Sequence, residues 1–483
     1  MTTRRGVLAG VGAAAIVFGF DPVARCWISE AQAAPFDHVP DLDGEIRTDP
    51  SSLAAYGTDL GNMVHNTPVA VLFPGSVKDI QKMIRFCKAR GIKVAARGQG
   101  HATFGQAQAG GGLVISMRSL NQIHSIDRHC ADLDAGATWK TLVQTTFPMG
   151  LTPPVLTGYT NLSIAGTLSM GGVSITNAQG AQVDRVQALE VVTGEGDREW
   201  CSEHRNSDLF SAALAGLGQC GIITRAVVDL VPAPPQSRVY LLTYSDNATF
   251  FADFRTLLNR GEFDGLYNVW LPGPAPGQFV YQLNAIKNFD PARPPDDNRL
   301  LRGLHYSALE ASNSSYLDQV LSVDVIVDFL SSIGMFETLT HPWFDAFLPE
   351  DKIESYVGQV LPNLTPEDVG PVGFMLLFAL KRSKLHRPLF RVPEQGKWVY
   401  LFDILTASAT PNPGADYDAR MLARNRTLFE KARAVGGTRY PIGSLEFSRD
   451  DWRRQYGRVA DDLARWKRRF DPRGILTPGP GIF

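Results

Sequence analysis

The chain has 483 residues, of which 44% are hydrophobic and 20% are charged, and its formal net charge is −2. This composition excludes a disordered protein, and the length predicts two or three domains. The longest basic cluster, residues 465–469, is interpreted as the solvated face of a helix. Nucleic acid is therefore not an expected partner.

Residues 1–33 have the pattern of an export signal. Arg4 and Arg5 precede an apolar run from Gly6 to Phe20, and residues 31–33 offer a small-residue cleavage site. The run is shorter than the roughly 20 residues that a membrane span requires, so we expect a removable signal and no stable membrane anchor. Paired arginines favour the export route for folded proteins, and an ordinary secretion signal is the alternative. Both predict a secreted or periplasmic protein that starts near Ala34.

The cysteines predict neither a metal site nor a dense disulfide framework. Cys26 lies in the predicted signal, and the other four are far apart, with no Cys-x-x-Cys pair. Free thiols are the favoured interpretation, although export would permit one disulfide. These four are Cys87, Cys130, Cys201 and Cys220.

Strand and helix patterns alternate early in the mature chain and lead into a glycine-rich loop. A strand at Val69–Phe73 is followed by a helix that begins after a capping box at Ser76 and Asp79 and ends at Gly91. The strand Ile92–Ala96 comes next, which predicts an α/β unit. The loop at 97–106 then carries His101 at its apex. Because glycine lacks a Cβ, its backbone N–H groups can converge on a phosphate, which suggests a flavin dinucleotide site.

The next segments predict further short elements. The pattern from Leu113 to Ile126 is strand-like, and Trp139–Phe147 is predicted as a short helix. Residues 162–176 are small or hydroxylated and have no clear period, which is typical of backbone lying against a ligand, with a plain surface loop as the alternative. Val186–Val192 and Arg198–Cys201 are predicted as a hairpin.

Residues 216–221 match the pattern G-x-G-x-x-G but in the wrong structural context. A helical pattern, Asn206–Leu214, precedes these glycines, and a strand pattern, Ile222–Leu230, follows them. The dinucleotide motif requires a strand before and a helix after. Nicotinamide binding of the usual kind is therefore not expected.

Pro232–Pro235 marks a boundary, beyond which no phosphate-type loop occurs. The second half has strand candidates at Val239–Thr243 and Lys397–Leu405 and helical stretches near 315–330 and 416–434, and we expect it to shape a substrate pocket. The apolar chain end is expected to dock back on the core. The predicted units are the signal at 1–33, a nucleotide-binding domain at 64–235, a substrate-binding domain at 236–435 and a returning segment at 436–483.

Several motifs occur in the order that is typical of one flavoprotein family. They are Arg97-Gly-Gln-Gly-His101 with Gly105-Gln-Ala, Gly166-Thr-Leu-Ser169, Asn206-Ser-Asp-Leu-Phe210, Gly216-Leu-Gly-Gln-Cys-Gly-Ile-Ile-Thr-Arg225, and Phe470-Asp-Pro with Pro478-Gly. Together they resemble the cytokinin dehydrogenases, which belong to the vanillyl-alcohol-oxidase-like flavoproteins. His341-Pro-Trp-Phe-Asp-Ala-Phe347 and Lys381-Arg-Ser-Lys384 are similar to that family's substrate-domain signatures. The resemblance implies an α+β fold with a two-subdomain PCMH-type FAD-binding module and an α+β substrate-binding cap domain.

The resemblance also implies positions for the cofactor, FAD. His101 matches the residue whose imidazole is bonded covalently to the flavin 8α-methyl carbon. Ile222 or Ile223 would lie against adenine, and Tyr440 and Thr477 would close the site from the carboxyl-terminal side. Ala102 replaces a serine of the family, and backbone contacts should survive that change. The remaining predicted contacts are Arg97, Gly98, Gln99, Gly100, Ala102, Gln106, Gly158, Ala165, Gly166, Thr167 and Ser174.

Two departures from the family concern the substrate. Gly158 stands where the family has an aspartate that accepts the hydrogen bond of the substrate amine, and Tyr267 stands near the place of a family glutamate. A buried tyrosine can act as a base if its pKa is lowered, so Tyr159 and Tyr267 are candidate catalytic residues, with aromatic pocket walls as the alternative. Asp184 and Asp264 are the nearest carboxylates in sequence and are not favoured.

These observations predict an exported FAD-linked oxidoreductase that passes electrons to oxygen or another acceptor. The resemblance implies a cytokinin-like, N6-substituted adenine as substrate. Oxidation of an alcohol, a hemiacetal or a heterocyclic amine is the main alternative, because Gly158 removes the family's amine acceptor. A flavin-bearing protein that sequesters a ligand without turnover is the alternative from a different class.

Overall fold

The structure is a computed structural model that describes residues 17–21, 26–29, 39–273 and 277–483. Arg4, Arg5 and the predicted cleavage site lie outside these residues. Within the described part of the predicted signal, β1 (Val17–Asp21) pairs antiparallel with β2 (Cys26–Ser29). Every helix in the described residues is too short or too polar to pass through a bilayer.

A four-stranded sheet opens the N-terminal half, which we define as residues 39–235. Its strands, in the order β3-β4-β6-β5, are β3 (Glu45–Arg47), β4 (Ala70–Phe73), β5 (Val94–Arg97) and β6 (Leu113–Ser116). Helix α1 (Pro50–Tyr56) precedes β4, and α2 (Val77–Arg90) connects β4 to β5. Both strands pair in parallel with β6, which confirms the predicted strand–helix–strand unit.

Helix α2 buries its predicted apolar face against this sheet. The side chains at Ile80, Met83, Ile84 and Cys87 are fully buried in one cluster with β4 and β6. Burial of each aliphatic side chain contributes about 1.5–3 kcal/mol. The helix ends at Gly91, whose φ of +69° favours glycine.

The capping box predicted at Ser76 and Asp79 is wrong. Ser76 Oγ donates to Asp43 Oδ2 at 2.6 Å and caps no helix N–H. Asp79 accepts from the backbone N–H groups of Asp43 and Gly44, each at 2.8 Å. It also accepts from Gly75 at 2.8 Å. Asp79 therefore holds the segment before β3, a tertiary contact that a local pattern does not show.

A five-stranded antiparallel sheet completes the N-terminal half. Its strands, in the order β11-β10-β12-β8-β7, are β7 (Ile123–Ile126), β8 (Cys130–Asp134), β10 (Val186–Val192), β11 (Arg198–Ser202) and β12 (Ile222–Asp229). The other elements are α3 (Trp139–Thr146), α4 (Ile164–Met170), α5 (Ser207–Ala213) and the paired strands β9 (Leu151–Thr152) and β13 (Val231–Pro232).

Two predictions in this half are confirmed and two are corrected. The β10–β11 hairpin forms, and the glycines at 216–221 lie between α5 and β12, the reverse of the dinucleotide order. The single strand-like stretch at 113–126 is wrong, because the chain turns at Met117–Ser119 and its two ends enter different sheets. The surface-loop alternative for 162–176 is also wrong, because α4 buries Ile164 and Leu168 there.

An eight-stranded antiparallel sheet, here called the cap sheet, dominates the second half. Its order is β17-β14-β16-β15-β19-β20-β18-β21. The strands are β14 (Gln236–Tyr244), β15 (Gly265–Pro272), β16 (Phe279–Phe289), β17 (Ala308–Ser315), β18 (Phe344–Pro349), β19 (Phe374–Lys381), β20 (Trp398–Leu405) and β21 (Thr438–Arg439). The predicted strands at 239–243 and 397–405 are thus confirmed as β14 and β20. Their observed ends differ from the predicted ends by at most three residues.

Seven helices accompany the cap sheet among the described residues. They are α6 (Asn247–Arg260), α7 (Asp297–Leu301), α8 (Tyr316–Val320), α9 (Ser322–Ser332), α10 (Ile353–Val360), α11 (Pro366–Val369) and α12 (Ala415–Ala434). The helical stretch predicted near 315–330 is two helices, α8 and α9. Phe250, Phe254 and Trp270 are fully buried between α6 and the sheet, with aromatic edges packed on faces.

The chain end returns to the first sheet, as expected. After α13 (Arg449–Tyr456) and α14 (Ala460–Phe470), Val94 N donates to Ile475 O at 2.9 Å and Thr477 N donates to Val94 O at 2.8 Å. The interpretation of 465–469 as a solvated face is wrong for Lys467. Its side chain is buried and its Nζ lies 2.7 Å from Asp471 Oδ2.

The four cysteines between residues 39 and 483 are unpaired. Cys87, Cys201 and Cys220 are buried, and Cys130 is partly buried. The free-thiol interpretation is confirmed for the described residues. Burial raises the pKa of the Cys201 and Cys220 thiols to about 12, so these thiols stay protonated.

Candidate active site

A cavity of about 790 Å³ lies between the N-terminal half and one face of the cap sheet. It brings together both candidate catalytic tyrosines and every predicted FAD contact except Arg97. These residues are Gly98, Gln99, Gly100, His101, Ala102, Gln106, Gly158, Tyr159, Ala165, Gly166, Thr167, Ser174, Ile222, Ile223, Tyr267, Tyr440 and Thr477.

The glycine loop leaves no room for side chains at two of its positions. A Cβ on Gly98 would lie 1.9 Å from Ser163 Oγ, the atom that caps α4. Gly100 has a φ of +76°, and a Cβ there would lie 2.3 Å from the guanidinium of Arg97. The loop therefore presents bare backbone to the cavity.

Arg97 lies outside the cavity lining and supports the loop from behind, so its predicted cofactor contact stays a prediction. Its guanidinium donates to Thr58 O and lies 5.2 Å from the centre of the Tyr56 ring. Tyr56 is the last residue of α1 and Thr58 follows the helix, and neither residue lines the cavity. The Arg97 guanidinium lies beside the backbone of Gly100, where a Cβ would contact it.

Asp59 positions the far end of the same loop and was missed in the sequence. Its carboxylate accepts from Gly105 N at 2.6 Å and from Gly61 N at 3.1 Å. Burial raises the pKa of Asp59 to about 7, against the effects of the Gly105 N–H and of Arg97. The residue precedes β4 and belongs to no periodic element, so no local signal identified it.

His101 lies among aromatic rings. The centre of its imidazole is 5.1 Å from Tyr159, 5.3 Å from Trp343 and 6.0 Å from Phe336. Burial, with a smaller effect of His341, lowers the pKa of His101 to about 3. The imidazole is therefore uncharged at neutral pH and keeps a nitrogen lone pair.

The segment that holds Gly158 and Tyr159 is fastened to α9. Thr160 donates from N and Oγ1 to Asp324 Oδ2 at 3.0 and 2.9 Å. Lys140 Nζ lies 3.7 Å from the other oxygen of Asp324. A Cβ on Gly158 would meet only Val323 Cγ2, at 3.9 Å, so a larger side chain has room there.

The two candidate catalytic tyrosines do not have the lowered pKa that a base requires. Burial raises the pKa of both Tyr159 and Tyr267, so both phenols stay protonated. They can donate hydrogen bonds and form aromatic walls, which is the alternative given above. Asp264 also lines the cavity, where its carboxylate pairs with Lys287 Nζ at 3.1 Å. Asp184 lies outside the lining and accepts from His386 N at 2.8 Å.

Three of the predicted contacts, Tyr440, Thr477 and Thr167, form hydrogen bonds to distant segments. Tyr440 Oη accepts from Gly172 N at 3.3 Å, which fixes the turn after α4. Thr477 Oγ1 donates to Gly218 O at 2.9 Å, which ties the chain end to the glycines before β12. Thr167 Oγ1 accepts from Trp139 Nε1 at 2.7 Å.

Two further carboxyls, Asp345 and Asp403, line the cavity and were missed. Both are almost fully buried, on neighbouring strands β18 and β20. One signal was available, because Asp403 is the sole charged residue of the apolar strand 398–405. No lysine or arginine lines the cavity among the described residues.

Comparisons with known proteins agree with this geometry. Residues 68–202 match a family described as FAD binding domain, and residues 275–483 match one described as cytokinin dehydrogenase 1, FAD and cytokinin binding. An uncharacterized oxidoreductase, ORF5 in the fasciation locus of Rhodococcoides fascians, is 37% identical over 91% of this chain and 99% of its own length. Cytokinin dehydrogenase 1 of Oryza sativa subsp. japonica is 31% identical over 94% of each chain. Cytokinin dehydrogenase 1 of Arabidopsis thaliana is 32% identical over 92% of this chain and 83% of its own. The chain therefore belongs to the cytokinin dehydrogenase family of FAD-dependent oxidoreductases.

Proposed function

We propose that the protein is an exported oxidoreductase whose FAD is bonded covalently to His101. When bound, FAD supplies the redox chemistry by taking a hydride from a substrate C–H bond at N5, and oxygen or another acceptor reoxidises it. The observation that carries the proposal is an uncharged histidine, His101, at the apex of a glycine loop that opens into a large cavity.

The residues present fit FAD. Gly98 and Gly100 cannot carry side chains, so their backbone N–H groups remain available to a pyrophosphate. Ile222 and Ile223 supply an apolar surface for adenine. The carboxyl-terminal Thr477 would close the cofactor from the other side, where it is already held to Gly218.

Covalent attachment to His101 requires an unprotonated imidazole nitrogen. The rings of Tyr159 and Trp343 pack beside the imidazole and reduce its contact with solvent, which favours its neutral form.

The test of attachment is acid precipitation of the purified holoenzyme. We expect the flavin absorbance to stay with the pellet, and His101→Ala to release it into the supernatant. His341→Gln is the matched control, because His341 is a second buried histidine of the same cavity. Release of flavin from the unmodified protein would show that His101 does not form the bond.

For the substrate, we propose an amine of the N6-substituted adenine type, as in the family. Oxidation of an alcohol, a hemiacetal or another heterocyclic amine is the alternative, since no side chain at Gly158 accepts a hydrogen bond. Tyr159 and Tyr267 would orient the substrate as donors.

Anaerobic mixing separates these substrates. The holoenzyme is mixed first with isopentenyladenine and then with a panel of alcohols and amines, while flavin absorbance is followed. Bleaching by isopentenyladenine supports the amine proposal, and bleaching by the alcohols alone overturns it. Bleaching by none of them would favour a protein that sequesters a ligand without turnover.

Export is proposed from the paired arginines in residues 1–33. Cell fractionation of the full chain tests it, with Arg4→Lys/Arg5→Lys as the variant. We expect the variant to remain in the cytoplasm with its flavin bound. Unchanged export of the variant would favour an ordinary secretion signal.

A further inference from the structure

The cavity face of the cap sheet is mainly apolar, and two buried carboxyls interrupt it. Seven apolar residues from β15, β19 and β20 face the cavity: Val269, Leu271, Phe374, Leu376, Phe378, Leu401 and Leu405. Asp345 of β18 and Asp403 of β20 interrupt this surface. They are directly opposite each other in the β18–β20 ladder, and Asp403 is also opposite Leu376. Carboxyls at directly opposite positions are close enough to interact.

These two carboxyls lack the partners that buried charges normally have. Asp345 is 5% exposed and Asp403 is 4% exposed. Asp345 Oδ2 and Asp403 Oδ1 have no hydrogen-bond partner, and no lysine or arginine of the described residues forms an ion pair with either carboxyl. A buried polar atom without a partner costs about 1–3 kcal/mol, which a ligand group can recover.

The environment of both carboxyls favours their protonated forms. Burial raises the pKa of both carboxyls, and the neighbouring Asp345 raises that of Asp403 further. Because the two residues are directly opposite in the ladder, a protonated carboxyl of one can donate to the other and leave an acceptor facing the cavity. The nearest cation, Arg439, lies outside the cavity lining, where it donates to Gly443 O at 3.0 Å.

We infer that the Asp345–Asp403 pair binds an amino nitrogen of the substrate and takes the place of the acceptor that Gly158 lacks. The inference rests on the proposed function and narrows its substrate to amines and amino-substituted nitrogen heterocycles. A basic N–H group complements a desolvated, partly charged carboxyl pair better than an alcohol does, because it can carry a compensating charge. The apolar residues around the pair would exclude water and strengthen that contact.

Ligand binding to the oxidised holoenzyme tests this without turnover. The probes are adenine and 6-methylpurine, which differ only by an amino group in place of a methyl group, and binding is followed by the flavin difference spectrum. We expect Asp345→Asn and Asp403→Asn each to weaken adenine binding about tenfold and to leave 6-methylpurine binding unchanged. Asp264→Asn is the matched control, because this third cavity carboxyl is already paired with Lys287.

Two outcomes would overturn the inference. Equal losses for both ligands would show that the pair only supports the fold, and unchanged adenine binding would show that the pair does not contact the ligand. Neither result bears on the flavin content or on bleaching by substrate, so a failure of the proposed function is detected separately.

A second measurement needs no variant. The infrared C=O stretch of a protonated carboxyl is recorded in the unmodified holoenzyme before and after adenine is added. We expect adenine to shift this band and 6-methylpurine to leave it in place. A band that neither ligand shifts would contradict the inference even if the variants failed to fold.

Discussion

The wall of the cavity formed by the glycine loop and the wall formed by the cap sheet present different chemistry to a ligand. The first, here called the cofactor wall, offers backbone from residues 97–106, held by Asp59 and by the chain end. The second, the cap wall, offers apolar side chains with the Asp345–Asp403 pair among them. Backbone contacts to the cofactor tolerate side-chain changes such as the alanine at position 102. On the cap wall, by contrast, a single substitution can change which ligand groups are bound. Such a cavity can keep its cofactor while its substrate changes.

The largest expected effect is on stability, when the contacts of Lys467 that hold the chain end against the cofactor wall are removed. Lys467→Met leaves Asp471 as an unpaired buried charge and removes donors to Gln219 O and Leu476 O. We expect the free energy of unfolding to fall by about 3–5 kcal/mol, measured by denaturant titration. Arg465→Met is the control on the same helix, since its pair with Asp462 is exposed and should matter by less than about 1 kcal/mol. Equal effects of the two variants would show that the buried pair does not hold this wall.

Next in size is a change inside the glycine loop. Gly98→Ala places a Cβ 1.9 Å from Ser163 Oγ, so the loop must move away from α4. We expect a loss of about 1–3 kcal/mol and purified protein with little flavin, measured by absorbance at the flavin band. Gly358→Ala is the control, because a Cβ there meets nothing within 4 Å. Full flavin content in Gly98→Ala would mean that the cofactor does not depend on this backbone.

The pH dependence of stability should change in the same direction when a buried carboxyl is removed from either wall. Asp59 and Asp345 each have a pKa raised to about 7 from an ordinary 3.8. Between pH 3.8 and pH 7, these two carboxyls are therefore protonated in the folded state and ionised in the unfolded chain. Stability therefore falls as pH rises from about 4 to 7 and levels off above. Asp59→Asn and Asp345→Asn should each reduce this slope, by at most about 1.4 kcal/mol per pH unit, in denaturant titrations across that range. An unchanged slope in either variant would mean that its carboxyl is not protonated in the folded protein.

The smallest structural effect is expected at Gly158. Gly158→Asp meets only Val323 at 3.9 Å, so the free energy of unfolding should change by less than about 0.5 kcal/mol. The new carboxylate adds an acceptor on the Gly158 side of the cavity, so the rate of flavin bleaching by isopentenyladenine should rise by up to about a hundredfold. Gly158→Asn is the control, since it fills the space without a negative charge. A rise with both variants would indicate packing and not proton acceptance.

The sequence predicted the cofactor wall well and the cap wall poorly. Glycines and His101 lie within one short stretch, and the α/β periodicity around them is local, so residue patterns alone indicated both. Asp345 and Asp403 are separated by more than fifty residues and meet only because β18 and β20 pair in one register. No local pattern contains that register, nor the tertiary contacts of Asp59 and Asp79.

The backbone N–H of Val94 donates to Ile475 and its carbonyl accepts from Thr477, although most of the chain lies between Val94 and these two residues. During synthesis, the first sheet and the glycine loop leave the ribosome long before their last partner does. The cofactor wall therefore cannot be complete until residues 475–477 have been synthesised and have reached Val94. A stop codon before residue 475 would therefore yield a protein without the carboxyl-terminal part of its cofactor site.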